Sequence, residues 1–166
     1  MSKAISTAIT SIALAQLLKI PTNLAKSKSL DLGNLISTGG MPSSHSSGVT
    51  ALATYVGLEK GWKSTEFAIA TMLGLIVMYD AAGIRRHAGE TAVQVNDLDE
   101  DVEKLAGHHP GIYHIKREKK LKERLGHQPI EVAAGALLGI LVGTVSYLGE
   151  KKKAKANQSF FTFLLS

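Results

Sequence analysis

The chain has 166 residues, 45% of them apolar, and a formal net charge of +5. A pI near 9.4 suits an anionic partner, whether nucleic acid, an anionic membrane surface or a phosphorylated substrate. Aromatic residues are only 5%, which argues against single-stranded nucleic acid and its need for stacking platforms, and the lack of cysteine excludes disulfides.

Mean hydropathy is only +0.08, yet the apolar residues are segregated into long runs. The first is Ala4 to Leu18, behind Lys3. Ala13-Leu14-Ala15 resembles a signal-peptidase site, but no secreted-type framework follows, so the run is read as a retained membrane helix. The second, Ser43 to Gly57, is built mainly of Ser, Ala, Thr and Gly. It is too polar to face lipid, but small residues suit the inside of a bundle. The third, Phe67 to Ile84, is apolar apart from Asp80; an ionisable group in such a run is expensive, and its expected role is to hold an arginine. The fourth, Val132 to Leu148, carries Gly135, Gly139 and Gly143 at a four-residue spacing, a packing face for another helix.

A polar insert, residues 85–128, separates the third run from the fourth. It passes from RRHAGE through the acidic NDLDEDVE to GHHPGIYH and the basic IKREKKLKERLGH. Gly107, Pro110 and Gly111 mark a turn, Ile115 to Arg124 is expected to be a helix with a basic face, and both charge runs are expected on a solvated surface. His108, His109 and His114 match no zinc spacing. From Gly149 onward, with KKKAK, the chain reads as a disordered tail.

About 20 apolar residues span a bilayer, so each run alone is marginal. Core helices of a soluble domain are the alternative, but so many apolar blocks in a short chain favour the membrane. The expected fold is all-α: a small transmembrane bundle of about four core helices over residues 1–150, with the polar insert before the last helix and a tail at 151–166.

Two stretches carry chemistry. In GGMPSSH, Gly39 and Gly40 permit a tight turn and Pro42 suits the first position of a helix. The amides of Ser43, Ser44 and His45 would then form an anion cradle, although Ser-Ser before an apolar run is also a capping arrangement. LGHQPIEVAAG repeats the pattern: Pro129 leads a helix, and His127 and Glu131, four apart, can share a face. A carboxylate so placed orients an imidazole and raises the basicity of its other nitrogen. In an up-and-down bundle Lys19, Ser43–His45, Arg85–Arg86 and His127–Glu131 all fall at one end, giving a site for a phosphoryl group.

These strings carry a family resemblance. PSSH and His127-x-x-x-Glu131-Val-x-x-Gly resemble the second and third signature motifs of the type 2 phosphatidic acid phosphatase superfamily. STGGMPSSHSS, YDAAGIRRHAGE and LGHQPIEVAAG together are similar to its divergent branch of small membrane proteins. The resemblance implies His127 as nucleophile, Glu131 as its orienting acid and His45 as the acid that protonates the leaving group. It implies phosphate binding by Ser43 and basic residues, with Lys19, Gly40, Ser44, Arg85 and Arg86 the substrate-binding set. Ser44 stands where the superfamily has glycine, no Arg-Pro follows Lys19 at the superfamily's spacing, and the position six before His127 is Leu121 rather than arginine. Arg85 or Arg86 could replace that charge, with Arg124 the competitor.

The implied activity is a multi-pass cell-membrane phosphatase that hydrolyses a lipid phosphate through a phosphohistidine, without metal or cofactor. Phosphatidylglycerol phosphate, phosphatidic acid and a polyprenyl diphosphate are the substrates considered, and a catalytically decayed scaffold is the alternative. The expected partners are the lipid substrate and the membrane, not nucleic acid, with homo-oligomerisation through the Gly135/Gly139/Gly143 face. Lys and Arg are more frequent on the site's side, which the positive-inside tendency puts in the cytosol.

Overall fold

The protein's structure, a computed structural model, describes residues 2–27, 40–109, 111–115, 119–123 and 125–165. Among them are five helices and no strand: α1 (Lys3–Ser27), α2 (Ser44–Lys60), α3 (Thr65–Ala82), α4 (Ile84–His108) and α5 (Pro129–Leu165). The four apolar runs are α1, α2, α3 and α5, which pack as one bundle with α2 against all three others. Serine caps set two of the starts: Ser43 Oγ accepts from the Ser46 N–H at 3.3 Å, and Ser64 Oγ from the Phe67 N–H at 3.2 Å.

The core is small and hydroxyl-rich. On α1, Thr7, Ser11, Ala15 and Lys19 recur every four residues and are all buried, the spacing of one helix face. Ser11 and Ser47 join α1 to α2 through a 2.6 Å hydroxyl contact. The large apolar side chains lie outside instead: Ile5, Ile9 and Leu17 on α1, Ile69, Met72 and Ile76 on α3, Leu137, Leu141 and Val145 on α5. In water this arrangement would forgo most of the hydrophobic stabilisation; in hydrocarbon the outer surface meets a matching solvent and small residues make the helix contacts. Lys3–Thr22, Thr65–His108 and Pro129–Ser159 each contain a stretch long and apolar enough to cross a membrane. The protein is a small helical membrane bundle.

Gly135, Gly139 and Gly143 form a helix-packing face as expected, but the helix that fills it is α2 of the same chain. A Cβ at Gly135 or Gly139 would run into the carbonyl oxygens of Ser43 and Ser47, and one at Gly143 would lie 2.8 Å from that of Ala51. This corrects the expectation that a second copy docks there, because the face is already covered.

The insert differs most from expectation. Its acidic stretch, expected on a solvated surface with no element assigned, is part of α4, which follows α3 after a break at Gly83 and, among the described residues, contacts no other helix. The basic stretch is not a helix: residues 115, 119–123 and 125 run back beside α4 in non-helical conformation, while residues 116–118 and Arg124 lie outside the described residues. Asn96 explains the difference. Its side chain accepts from the Leu121 N–H at 2.9 Å and donates to the Leu121 carbonyl at 3.0 Å and to Glu123 Oε1 at 2.9 Å. A backbone held on both its groups by a neighbouring side chain is withdrawn from an i→i−4 ladder. The tail also departs from expectation, continuing α5 as helix to Leu165. From Glu150 to Gln158 it is rich in Lys and Ala and has no Gly or Pro to stop the helix.

Candidate functional site

The first half of the site is the corner that leads into α5. Gly126 takes φ 77°, a left-handed conformation that favours glycine, and a Cβ there would collide with the Arg85–Arg86 backbone. Held so, the His127 N–H donates to the Ala81 carbonyl at 2.8 Å. Pro129 opens the helix, where its missing N–H costs nothing, and Glu131 stands at the third helical position. Its Oε2 accepts from the Gln128 N–H at 3.1 Å and lies 3.3 Å from His127 Nδ1. The reach back to the cap is one half of a capping box, so the pair forms although His127 lies outside the helix. The Glu131 carbonyl also accepts from the Ser43 N–H at 3.0 Å.

His127 is 2% exposed, and its Nε2 is buried with no hydrogen-bond partner. Burial pushes its pKa below the ordinary histidine value; the hydrogen bond to Glu131 opposes the shift, and the charges of Lys19 and His45 add to it. The ring is therefore neutral at pH 7. With Nδ1–H donating to Glu131, the Nε2 lone pair is left free in the site.

The second half is the start of α2. Gly40 takes φ 94° and leads into Met41–Pro42, where Thr22 Oγ1 ties the chain to the end of α1 by donating to the Met41 carbonyl at 2.9 Å. The helix starts at Ser44, two residues later than a start at Pro42. Ser43 is its cap and Pro42 lies before the cap rather than at the first helical position. The Ser43 N–H is committed to Glu131 and its Oγ accepts from the Ser46 N–H and hydroxyl. Ser43 thus holds α2 to α5, and its amide is not part of an anion cradle. Helix geometry leaves the Ser44 and His45 amides as the first-turn donors without intrahelical acceptors. The His45 and His127 rings lie 5.8 Å apart, centre to centre, inclined at 64°, and His45 Nδ1 is buried without a partner.

Of the predicted cations, Lys19 and Arg85 reach this place and Arg86 does not. Lys19 is fully buried on the α1 face that meets α2. It is close enough to act electrostatically on both histidines and to feel Glu131. Arg85 also acts on His45 and donates through Nε to Asp80 Oδ2 at 2.5 Å, the arginine-holding role expected of that aspartate. The Arg86 guanidinium turns along α4 to Glu90 at 2.9 Å. Arg124 lies outside the described residues, and Leu121, at the superfamily's arginine position, is pinned by Asn96. Away from this cluster, His114 faces Asp99 at 3.3 Å, and His108 Nδ1 lies 2.7 Å from the Lys104 carbonyl.

One residue at the site escaped the sequence reading. Gln16, one turn before Lys19, donates to Ser44 Oγ at 3.3 Å and keeps its Oε1 buried without a partner. The signal was present: Gln16 is the one amide in the apolar run Ala4 to Leu18, conspicuous for the same reason as Asp80.

Residues 1–142 match a family model described as the divergent PAP2 family. The chain belongs to the divergent PAP2 family. It is also 47% identical over 140 residues to the uncharacterized membrane protein YuiD of Bacillus subtilis (strain 168), covering 82% of this chain and 89% of that protein. No solved structure matches it. The divergent PAP2 match takes in Lys19, both histidines, Arg85 and Glu131, and it ends inside α5. The helical tail beyond residue 142 lies outside it.

Proposed function

We propose that this divergent PAP2-family membrane protein is a phosphatase acting on a lipid phosphate. The observation that supports it best is the meeting of α2 and α5. A buried imidazole, His127, and a half-buried one, His45, lie 5.8 Å apart, each with a buried nitrogen lacking any partner, between a buried lysine and a tethered arginine. Unpaired buried polar atoms are costly, and a phosphoryl group would engage both nitrogens.

In this reading His127 Nε2 attacks phosphorus in line while the bond to the leaving oxygen breaks, and that oxygen takes a proton from His45. Burial and the charges of Arg85 and Lys19 lower the His45 pKa in the site without substrate; the negative charge of the bound phosphate opposes that shift and holds the proton there. The products are a phosphohistidine and a free alcohol or, from a diphosphate, the lipid monophosphate. Water then attacks the phosphohistidine and gives a proton to His45, and inorganic phosphate leaves with both histidines restored. Glu131 steadies the imidazolium of the intermediate. Lys19, Arg85 and the Ser44 and His45 amides meet the charge spread over the equatorial oxygens. Arg86 and the Ser43 amide are left out, because each is committed elsewhere.

A lipid substrate fits the rim. Leu17, Leu18, Met41, Tyr79 and Ile130 are exposed within two residues of Lys19, Ser43, Asp80 and Glu131. An acyl or prenyl chain could lie along them while its phosphate enters the bundle end. Phosphatidylglycerol phosphate suits a cytosolic site, polyprenyl diphosphate an outward one, and phosphatidic acid either. One observation favours a catalytically silent scaffold instead: the motif serine is spent on joining helices.

The test is phosphate release from these lipids in detergent with EDTA present. Wild type is expected to release phosphate and His127→Ala to lose it, a fall of at least about 10²-fold. Release by His127→Ala at the wild-type rate would sink the covalent mechanism. Wild type inert on all three lipids, with and without divalent metal, would leave the scaffold.

A further inference from the structure

On α4, Ile84, Ala88, Thr91, Val95, Leu98, Val102 and Leu105 recur at alternating spacings of four and three. That is the heptad period of a helix wound on another helix, not the 3.6 period of a helix on a flat surface. The seam runs for about 32 Å. Its middle residues Val95 and Val102 are half-buried beside the returning segment, but Ile84, Leu98 and Leu105 are each more than half exposed, and among the described residues α4 contacts only α3 of the helices. The adjoining face is the buried one. It holds Gly89, Ala92 and Asn96, which face the returning segment. That segment also brings Lys120 to Glu100 and His114 to Asp99.

We propose that the α4 seam is a self-association surface, on which α4 of a second copy of this chain lies antiparallel. The charge along α4 selects both occupant and direction. Beside Arg85, which belongs to the phosphate site, Arg86 and His87 stand in its first turn, exposed and paired with Glu90 of the same helix, and Asp97, Asp99, Glu100, Asp101 and Glu103 stand in its second half. Antiparallel pairing lays each basic end along the partner's acidic half, with His87 of one copy across from Asp101 of the other. Parallel pairing would stack acid on acid. A membrane surface is a poorer cover: helices that lie on anionic headgroups carry Lys and Arg beside the apolar stripe. The free flank of this seam is mixed and on balance acidic, with Glu90, Asp97 and Asp101 beside Lys104 and His87, and Glu90 and Asp101 are bonded to exposed partners on the same helix. A two-fold axis along the membrane normal relates helices lying across it in antiparallel fashion, so the pairing of two copies in one bilayer requires α4 to lie along the membrane surface.

The chain has no cysteine, so single cysteines in the full-length protein in native membranes report the contact without background. A short bis-maleimide should join Gln94→Cys, at the middle of the seam, to itself. Ile84→Cys and Leu105→Cys should each fail to self-link, but should link to one another when co-expressed. Adding Leu98→Glu to Gln94→Cys should remove most of the linked dimer while circular dichroism of the purified protein keeps its helix content. No dimer at Gln94→Cys, self-linking at both ends, or linkage indifferent to Leu98→Glu would each overturn the proposal. So would protection of Leu98→Cys from a water-soluble maleimide that persists below one copy per vesicle, since a lipid surface would then be the cover.

Discussion

His127 illustrates how one residue's chemistry is set by its neighbours. Desolvation lowers its affinity for protons, and the Glu131 bond only partly offsets this. As a nucleophile it must be neutral, so the acidic limb of the pH–rate profile should fall below the ordinary histidine value of about 6.5. A limb at or above that value would show a ring not buried as described. The stability linkage has the same sign. A folded-state pKa below the unfolded one means that the unfolded chain binds more protons in between. The stabilisation is complete above about pH 6.5 and is lost as pH falls through the folded value. Much at this scale was legible: a histidine four residues from a glutamate beside a proline-led start is visible in LGHQPIEV. Whether Ser43 would present its amide to a ligand or to Glu131 was not, because both uses require the same residue at a helix start.

At the scale of elements, α2 and α5 show how a polar helix and a glycine stripe specify one another. Gly139→Leu should force the α5 backbone off Ser47, at a cost of about 1–3 kcal/mol, seen as a lower unfolding temperature in detergent. Gly149→Ala, where a Cβ would meet nothing within 4 Å, should leave it unchanged. The glycine spacing was plain in the sequence; the partner was not, since a second copy presents a face as suitable as α2. The insert is the converse case. The basic segment has helical composition but is drawn out along α4 by Asn96. Asn96→Ala should release it at a cost of about 1–3 kcal/mol and speed tryptic cleavage at Lys119, Lys120 and Lys122, with helix content kept. Cleavage at the wild-type rate would mean that the asparagine does not hold the segment.

For the molecule as a whole, topology puts the two site histidines, Lys19 and α4 with its returning segment at one end, and Lys3, Lys60, Trp62, Lys63 and the lysines of residues 151–155 at the other, with more Lys and Arg at the site's end. The positive-inside tendency then predicts a cytosolic site. A membrane-impermeant maleimide added to intact cells should label Lys63→Cys and spare Tyr113→Cys, both positions being exposed. The reverse labelling would turn the protein over and favour an outward-facing substrate.

By itself the sequence determined that the chain is helical, that four apolar runs alternate with polar ends, and that two histidines fall at the same end. These follow from residue types and from the order of helices in a bundle. Only the tertiary structure decided which cations join them. Arg85 and Arg86 are adjacent and alike in sequence, yet successive helix positions diverge by about 100°, so one reaches toward His45 and the other toward Glu90. Only the fold, too, could make a helix of the acidic stretch and an extended strap of the basic one, because each state depends on the other segment lying beside it.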